Sequence, residues 1–409
     1  MAVRIGVLLL GLLLSGWIVP AGFAQTYSLR GFVTNAADGQ SLPGANVLLR
    51  RGGEVVTGTV AGSDGRFVLA RLPGGTYVLQ ASFVGFETRI DTLAVEGDVH
   101  WNVVLAPVEA VLQEVVVTPL RREGAANVTA GHHTALPSDL RRVPGPGGGG
   151  DLAGYLSTLP GVVSPGDRGG QFFVRGGEPF HNLVLFDGMP IYEPFHLVGF
   201  YSLFPADVVS RASLHAGGYG VKYGGRLSSV LDVTSRDGDK RRFGGAVGIA
   251  PFVSTARIEG PIVPGRVSVL ASLRQSVVEH GAARLVRQPL PFSFGDVFLK
   301  AHAAVTPNAQ LGATVLRSYD RGTLGTGIDA PEVQWTNEAA GLRYVFLPVR
   351  LPVSAEVVAN GSRMRGRHVA AGVEDRTAEV AQINAQADAV YYTGFADLQA
   401  GLFVRTFFL

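Results

Sequence analysis

One apolar run, Ile5–Val19, follows Arg4 near the start of the chain. Beyond it, no stretch reaches the ~18 consecutive apolar residues that a membrane-crossing helix needs. If this chain enters a bilayer, its backbone polar groups must pair strand to strand, and a closed β-barrel is the form that does so. The run itself, about 15 residues, is short for a span. Gly22-Phe23-Ala24 places small residues at the minus-three and minus-one positions of a cleavage site. Residues 1–24 therefore read as an export signal that is removed.

Composition points the same way. Fifty-five of 409 residues are Gly, and each Gly costs about 1 kcal/mol in a helix relative to Ala. Charged residues make up 17% of the chain, against roughly 25% in soluble domains. The absence of Cys excludes a disulfide scaffold, a Cys-bound zinc and a Cys nucleophile. A net charge of +2 gives no electrostatic reason to expect nucleic acid as a partner.

Residues 25–107 read as a β-sandwich. Turn signals recur at Ala37-Asp38-Gly39, Leu42-Pro43-Gly44, Gly62-Ser63-Asp64-Gly65 and Pro73-Gly74-Gly75. Between them Tyr77, Leu79, Ala81 and Phe83 alternate with Val78, Gln80 and Ser82, the period of a half-buried strand. Pro43-Gly44-Ala45-Asn46-Val47, Asp64-Gly65-Arg66-Phe67 and Gly74-Gly75-Thr76-Tyr77 make this segment resemble the carboxypeptidase-regulatory-like, transthyretin-type domain, which is not catalytic. A zinc peptidase would need a His-x-x-Glu pair, and no His here has Glu at that spacing. No catalytic residue, metal ligand or cofactor is expected.

Residues 108–124 read as a linker. Within it, Glu114, Val115, Val116, Val117 and Thr118 form a β-branched segment that Pro119 closes. An extended segment of this kind either adds to a domain's own sheet or pairs with the sheet edge of a partner. Its words and its place resemble the TonB-box region of outer-membrane receptors, which implies contact with a TonB-type energy-coupling protein.

Residues 125–236 carry the densest signals. Gly145–Gly150 fits G-x-G-x-x-G literally, but no strand precedes it and no Lys-Ser/Thr follows, so it reads as a loop into a helix that Asp151 caps. His132 and His133 are adjacent on an expected strand and point to opposite faces, a poor chelate. Leu159-Pro160-Gly161-Val162, Val174-Arg175-Gly176-Gly177, Asp187-Gly188-Met189-Pro190 and Tyr223-Gly224-Gly225-Arg226 follow in order. This series closely resembles the plug domain of TonB-dependent outer-membrane receptors, though Arg226-Leu227-Ser228-Ser229 departs from many plugs. Arg175, Asp187 and Arg226 are candidates for buried charges against a barrel wall. Tyr192, Phe195 and His196, with Phe200 and Tyr201, are candidate ligand-facing residues.

From residue 237 the pattern becomes that of barrel strands. Val267, Val269, Ala271 and Leu273 alternate with Ser268, Ser272, Arg274 and Ser276, Leu270 being the exception. Segments of about ten alternating residues fit transmembrane β-strands. At about 20 residues per strand and loop, 243–409 holds about eight strands, whereas plugged lumens are known near 22. The sequence is therefore expected to be the N-terminal part of a longer receptor.

The expected architecture is mainly β: a transthyretin-like sandwich, an α+β plug and part of an antiparallel transmembrane barrel. The resemblance implies a non-enzymatic importer of a siderophore, cobalamin, glycan or peptide, seated in outer-membrane lipid of a Gram-negative-type bacterium, with the sandwich and linker in the periplasm. A surface lipoprotein is a further expected partner. The rival reading is an exported β-domain adhesion or glycan-binding protein.

Overall fold

The computed structural model describes residues 26–108, 131–143, 145, 150–164, 171–196, 199, 201–250, 252–277, 292–323, 331–348, 351–370, 372, 374–393 and 396–408. The expected export signal and the segment Glu114–Thr118 lie outside the described residues, as does Phe200.

The first unit is a two-sheet sandwich. Its strands are β1 (Thr26–Asn35), β2 (Asn46–Arg51), β3 (Glu54–Val60), β4 (Arg66–Pro73), β5 (Gly75–Ser82), β6 (Arg89–Val95), β7 (Val99–His100) and β8 (Val103–Leu105). One sheet runs β4-β1-β7 with β8 also on β1, and the other runs β3-β2-β5-β6. The alternation read from β5 is the packing: Tyr77, Leu79 and Ala81 are buried, joined by Leu29, Val33, Val47, Leu49, Phe67 and Leu69 in one core.

The second unit is α+β. It holds β9 (His132–Ala135), α1 (Pro137–Arg142), α2 (Leu152–Leu156), β10 (Val162–Val163), β11 (Phe173–Val174), β12 (Asn182–Phe186), β13 (Met189–Pro190), β14 (Val209–His215) and β15 (Ser229–Ser235). Five strands form a mixed sheet, β13-β12-β15-β14-β9, in which β12 and β15 are parallel. Asp151 caps α2 as expected, accepting from the Ala153 N–H at 2.8 Å. Leu152 and Leu156 are buried, with Tyr155 and Leu159 packed against the same core.

The third unit is a continuous antiparallel sheet of β16 (Gly244–Ile249), β17 (Val253–Val263), β18 (Val267–Ser276), β19 (Phe292–Thr306), β20 (Ala309–Thr323), β21 (Glu332–Phe346), β22 (Val353–Val369), β23 (Arg376–Tyr392) and β24 (Asp397–Phe408). Among the described residues it has nine strands in sequence order rather than the expected eight or so. Its burial pattern inverts that of a soluble sheet. Facing the second unit are buried Ser268, Ser272, Arg274, Asp296, Lys300, Thr314, Ser318, Asp320, Asn337 and Gln382. Facing away are exposed Val297, Leu299, Leu311, Val315, Leu342, Tyr344, Val357 and Ile383. Polar-in, apolar-out alternation is the pattern of a barrel wall that meets lipid outside and a filled lumen inside.

The strands are longer than the expected ten residues, reaching 17 in β22 and β23. Their outward faces explain why. On the half nearer the turns after β19 and β21, those faces are apolar, as at Leu311, Val315, Leu342 and Val357. On the other half they carry exposed ion pairs, such as Arg321–Glu332, Arg365–Glu379 at 2.8 Å and Arg317–Glu338 at 3.5 Å. An apolar band ~25 Å tall uses only part of such a strand, and the remainder extends past it on the side away from the turns after β19 and β21.

Candidate functional site

The seam between the second unit and the wall concentrates buried charge. At its centre, the His196 side chain is fully buried. Its Nδ1 lies 2.9 Å from Asp320 Oδ2 on β20 and its Nε2 lies 3.1 Å from Asp296 Oδ2 on β19. Burial opposes charge on this imidazole, but the two carboxylates outweigh it and raise the pKa to about 9. Arg274 on β18 donates to Asp296 at 2.6 Å and to Asp151 at 3.2 Å, and also to the carbonyl of Ser202. Asp151 therefore caps α2 and anchors its start to the wall, with burial holding its carboxyl above the usual range despite Arg274. The Phe294 ring stacks on His196 with centroids 4.2 Å apart. Nearby, burial and then the charge of Asp320 raise Glu193 to about 7.

A second cluster lies toward the short turns. In the hairpin turn between β12 and β13, Asp187 has φ 49° and Gly188 φ 81°. Both are left-handed, as a type I′ turn requires, and Asp-Gly is a sequence that supplies this. The turn aims the Asp187 carboxylate at the wall. It accepts from Ser235 N at 2.8 Å and Thr314 Oγ1 at 2.7 Å, and Lys300 Nζ stands 3.6 Å away. Lys300 is shared with Asp237, 3.4 Å away. Burial disfavours the Asp237 anion, but His302, Lys300 and Lys240 outweigh it and hold its carboxyl well below the usual range. Between the two clusters the seam is apolar: Phe186 meets Phe204 of its own unit at 5.0 Å and Phe298 of the wall at 5.5 Å.

The motif residues fall on turns. Gly161 (φ 80°) accepts from Arg175 N at 2.7 Å. Arg175 and Gly176 form the tight turn after β11, closed by Gly177 N to Val174 O at 2.9 Å. Pro190 is buried against Leu185. Gly224, Gly225 and Arg226 lie in the loop before β15. Of the three candidate buried charges, Asp187 is the one whose side chain is covered, at 8% exposure. Arg175 is exposed at the apex of its turn and Arg226 is half-buried, bonded at 2.8 Å to the adjacent Gly225 carbonyl.

The candidate ligand-facing set also divides. Phe195 is buried in the core against Phe172, and His196 is inside the charge cluster. Tyr192 stays half-buried, its hydroxyl donating to Gln382 Oε1 at 3.0 Å. It lines a cleft of about 350 Å³ with Phe180, Glu193, Arg226 and Met364. His132 stacks on His215 at 4.3 Å, and burial lowers both imidazoles toward the neutral form. Arg274, Asp296 and Asp320 were not singled out as a site in the sequence; a charge on the otherwise small, polar inward face of an alternating strand is the signal for them.

A polar-lined wall of nine strands, joined to an α+β unit by buried ion pairs, is the geometry of part of a plugged barrel. Sequence comparison gives that unit a counterpart: the model of the TonB-dependent Receptor Plug Domain matches residues 146–229. That stretch is similar to the plug domain of the TonB-dependent receptors. The model of the carboxypeptidase regulatory-like domain matches 28–106, the sandwich in front of the plug. A curated relative, TonB-dependent receptor P3 of Formosa agariphila, is 26% identical over 239 residues, which is 57% of this chain and 22% of that protein. Solved structures agree in fold. The siderophore receptor PirA from Acinetobacter baumannii superposes with a TM-score of 0.52 at 13% identity, over 68% of this chain and 48% of that one. The ferric enterobactin receptor PfeA from Pseudomonas aeruginosa gives 0.51 at 15%, over 69% and 49%. The chain thus spans about half the length of these solved receptors and about a fifth of the curated relative.

Proposed function

We propose that this plug and wall work as part of an outer-membrane receptor that imports a solute using energy from the inner membrane. The observation that carries the reading is the inversion of the wall: apolar residues exposed outward, and a charged inward face paired to a plug. A lumen filled this way is shut, and its ion pairs exchange partners with water more readily than an apolar seam would, which suits a plug that must move. Ligand arrives from the long-loop side, where Tyr192 and Arg226 line the cleft beside Met364. The segment Glu114–Thr118, between sandwich and plug and outside the described residues, is the contact for a TonB-type partner.

The two solved relatives described are named for a siderophore and for ferric enterobactin, and the curated relative's name specifies no ligand. The ligand class therefore stays open among siderophore, cobalamin, glycan and peptide. Deletion of Val115–Thr118 tests the coupling role. Accumulation of the ligand that intact cells take up should fall to the level of protonophore-treated cells, while binding at the cell surface persists. Unchanged accumulation overturns it.

A further inference from the structure

The sandwich is not a free bead on the chain. It sits on the short-turn end of the barrel wall through contacts spread over the rim. Arg30, buried at 1% exposure, donates to the Pro348 carbonyl at 2.8 Å and to the Leu351 carbonyl, both in the turn after β21. Its other face pairs with Asp98 at 2.9 Å. Phe32 packs on Val345 and Leu347 of the same wall hairpin. His100 Nε2 and Asn102 Nδ2 both reach the Pro307 carbonyl, at 3.1 Å each, in the turn after β19. On another side, the Lys240 N–H, on the lead into β16, donates to the Asp38 carbonyl at 2.7 Å.

One loop goes further and enters the lumen. Asp64 Oδ2 accepts from Arg343 Nη2 at 3.2 Å, and Arg343 Nε donates to Glu356 Oε1 at 2.8 Å. Arg66 Nη2 closes the ring on Glu356 at 3.8 Å. Arg343 and Glu356 lie on the inward faces of β21 and β22. Burial disfavours the Asp64 anion, but Arg66 and then Arg343 outweigh it and hold its pKa down. A sandwich tethered loosely needs none of this: a buried Arg spent on rim carbonyls, an aromatic on the rim hairpin and a two-by-two charge ring inside the mouth.

We propose that the sandwich is a cap for the short-turn mouth of the barrel, a second closure in series with the plug, with Asp64 as the key that fits the Arg343–Glu356 pair. The face of the sandwich that carries Arg30, Phe32, His100 and Asn102 is its interaction surface, and its partner is the rim of the same chain. Calling that mouth the exit for imported solute rests on the proposed transport function; the seating of the cap does not.

The chain has no Cys, which makes engineered thiols unambiguous. A Cβ built on Gly39 falls 3.2 Å from the Lys240 Cβ, close to disulfide reach. The full chain carrying Gly39→Cys and Lys240→Cys, in membranes and without denaturant, should cross-link nearly completely under mild oxidation. Failure to cross-link while both thiols still react with maleimide overturns the proposal. A second variant guards against misfolding at Gly39. Leu347→Cys, buried under Phe32, should react with a small maleimide slowly, and about tenfold or more faster when Asp64→Arg is added, since breaking a buried charge pair shifts such an equilibrium by at least that factor. Adding Arg343→Asp to Asp64→Arg should return the rate toward the slow value. Equal rates in all three overturn the cap. If the cap behaves as described and Val115–Thr118 deletion leaves uptake intact, the coupling reading fails alone.

Discussion

His196 Nδ1 stands 2.9 Å from Asp320 Oδ2, joining a loop of the plug to a wall strand 124 residues later in the chain. The bond is fully buried, and the same imidazole reaches Asp296 on the neighbouring strand. One side chain thus ties two wall strands to the plug. Replacing it with Leu removes the shared cation. Breaking a buried pair from one side costs on the order of 3 kcal/mol, so His196→Leu should lower the thermal midpoint of the plug and speed its proteolysis, with the wall sheet unchanged by circular dichroism.

The same contact is pH-dependent, and its sign follows from the raised pKa. An imidazole raised from 6.5 to about 9 contributes its full stability below pH 6.5 and loses it as pH rises through about 9. Glu193, raised to about 7, adds a loss of the same sign between about 4.5 and 7. Hydrogen exchange of residues 193–204 should therefore quicken, beyond its intrinsic base catalysis, between pH 6.5 and 9. His196→Gln should remove that upper step.

Phe186 has no exposed surface and fills the apolar centre of the seam between Phe204 and Phe298. Truncation leaves a cavity that neither the plug sheet nor the wall is able to close. Phe186→Ala should destabilise the plug by about 3–5 kcal/mol, read by chemical denaturation, whereas Phe186→Leu should cost much less.

Much of this was legible in the sequence, and what was missed has physical causes. The sandwich was readable because its turns are marked by Gly and Asp and its strands alternate cleanly, as Tyr77, Leu79 and Ala81 do. The Asp151 cap is a local signal and it holds; Asp187-Gly188 is likewise a local turn sequence. Alternation in Val267–Ser276 separated two faces correctly but is symmetric: nothing in a period of two says which face is buried. Leu270 looked like an error in the pattern and is a contact, since it faces inward and joins the plug core. The His196 cluster was illegible for a different reason. Its partners Asp296 and Asp320 lie 100 and 124 residues away, and no local spacing encodes a pairing across a barrel wall. Arg175, by contrast, was a candidate charge against the barrel wall and stands exposed at its turn.

Asp187 gathers Ser235, Thr314 and Lys300 around one turn. Asp187→Asn keeps the turn and part of the bonding but removes the charge that faces Lys300. It should weaken plug seating modestly, by about 1–3 kcal/mol. Asp187→Val should do more, because a β-branched residue resists the left-handed backbone there. Limited proteolysis of the two variants side by side separates the charge from the turn.

A wall that faces lipid on one side and the plug on the other alternates residue by residue in its access to the bilayer. Nitroxide labels placed singly from Ala339 to Val345 in bilayer-reconstituted protein measure this. Collision with oxygen, which partitions into lipid, should be high at Ala340, Leu342 and Tyr344 and low at Ala339, Gly341, Arg343 and Val345. Uniform oxygen access along β21, or the opposite phase, would contradict it.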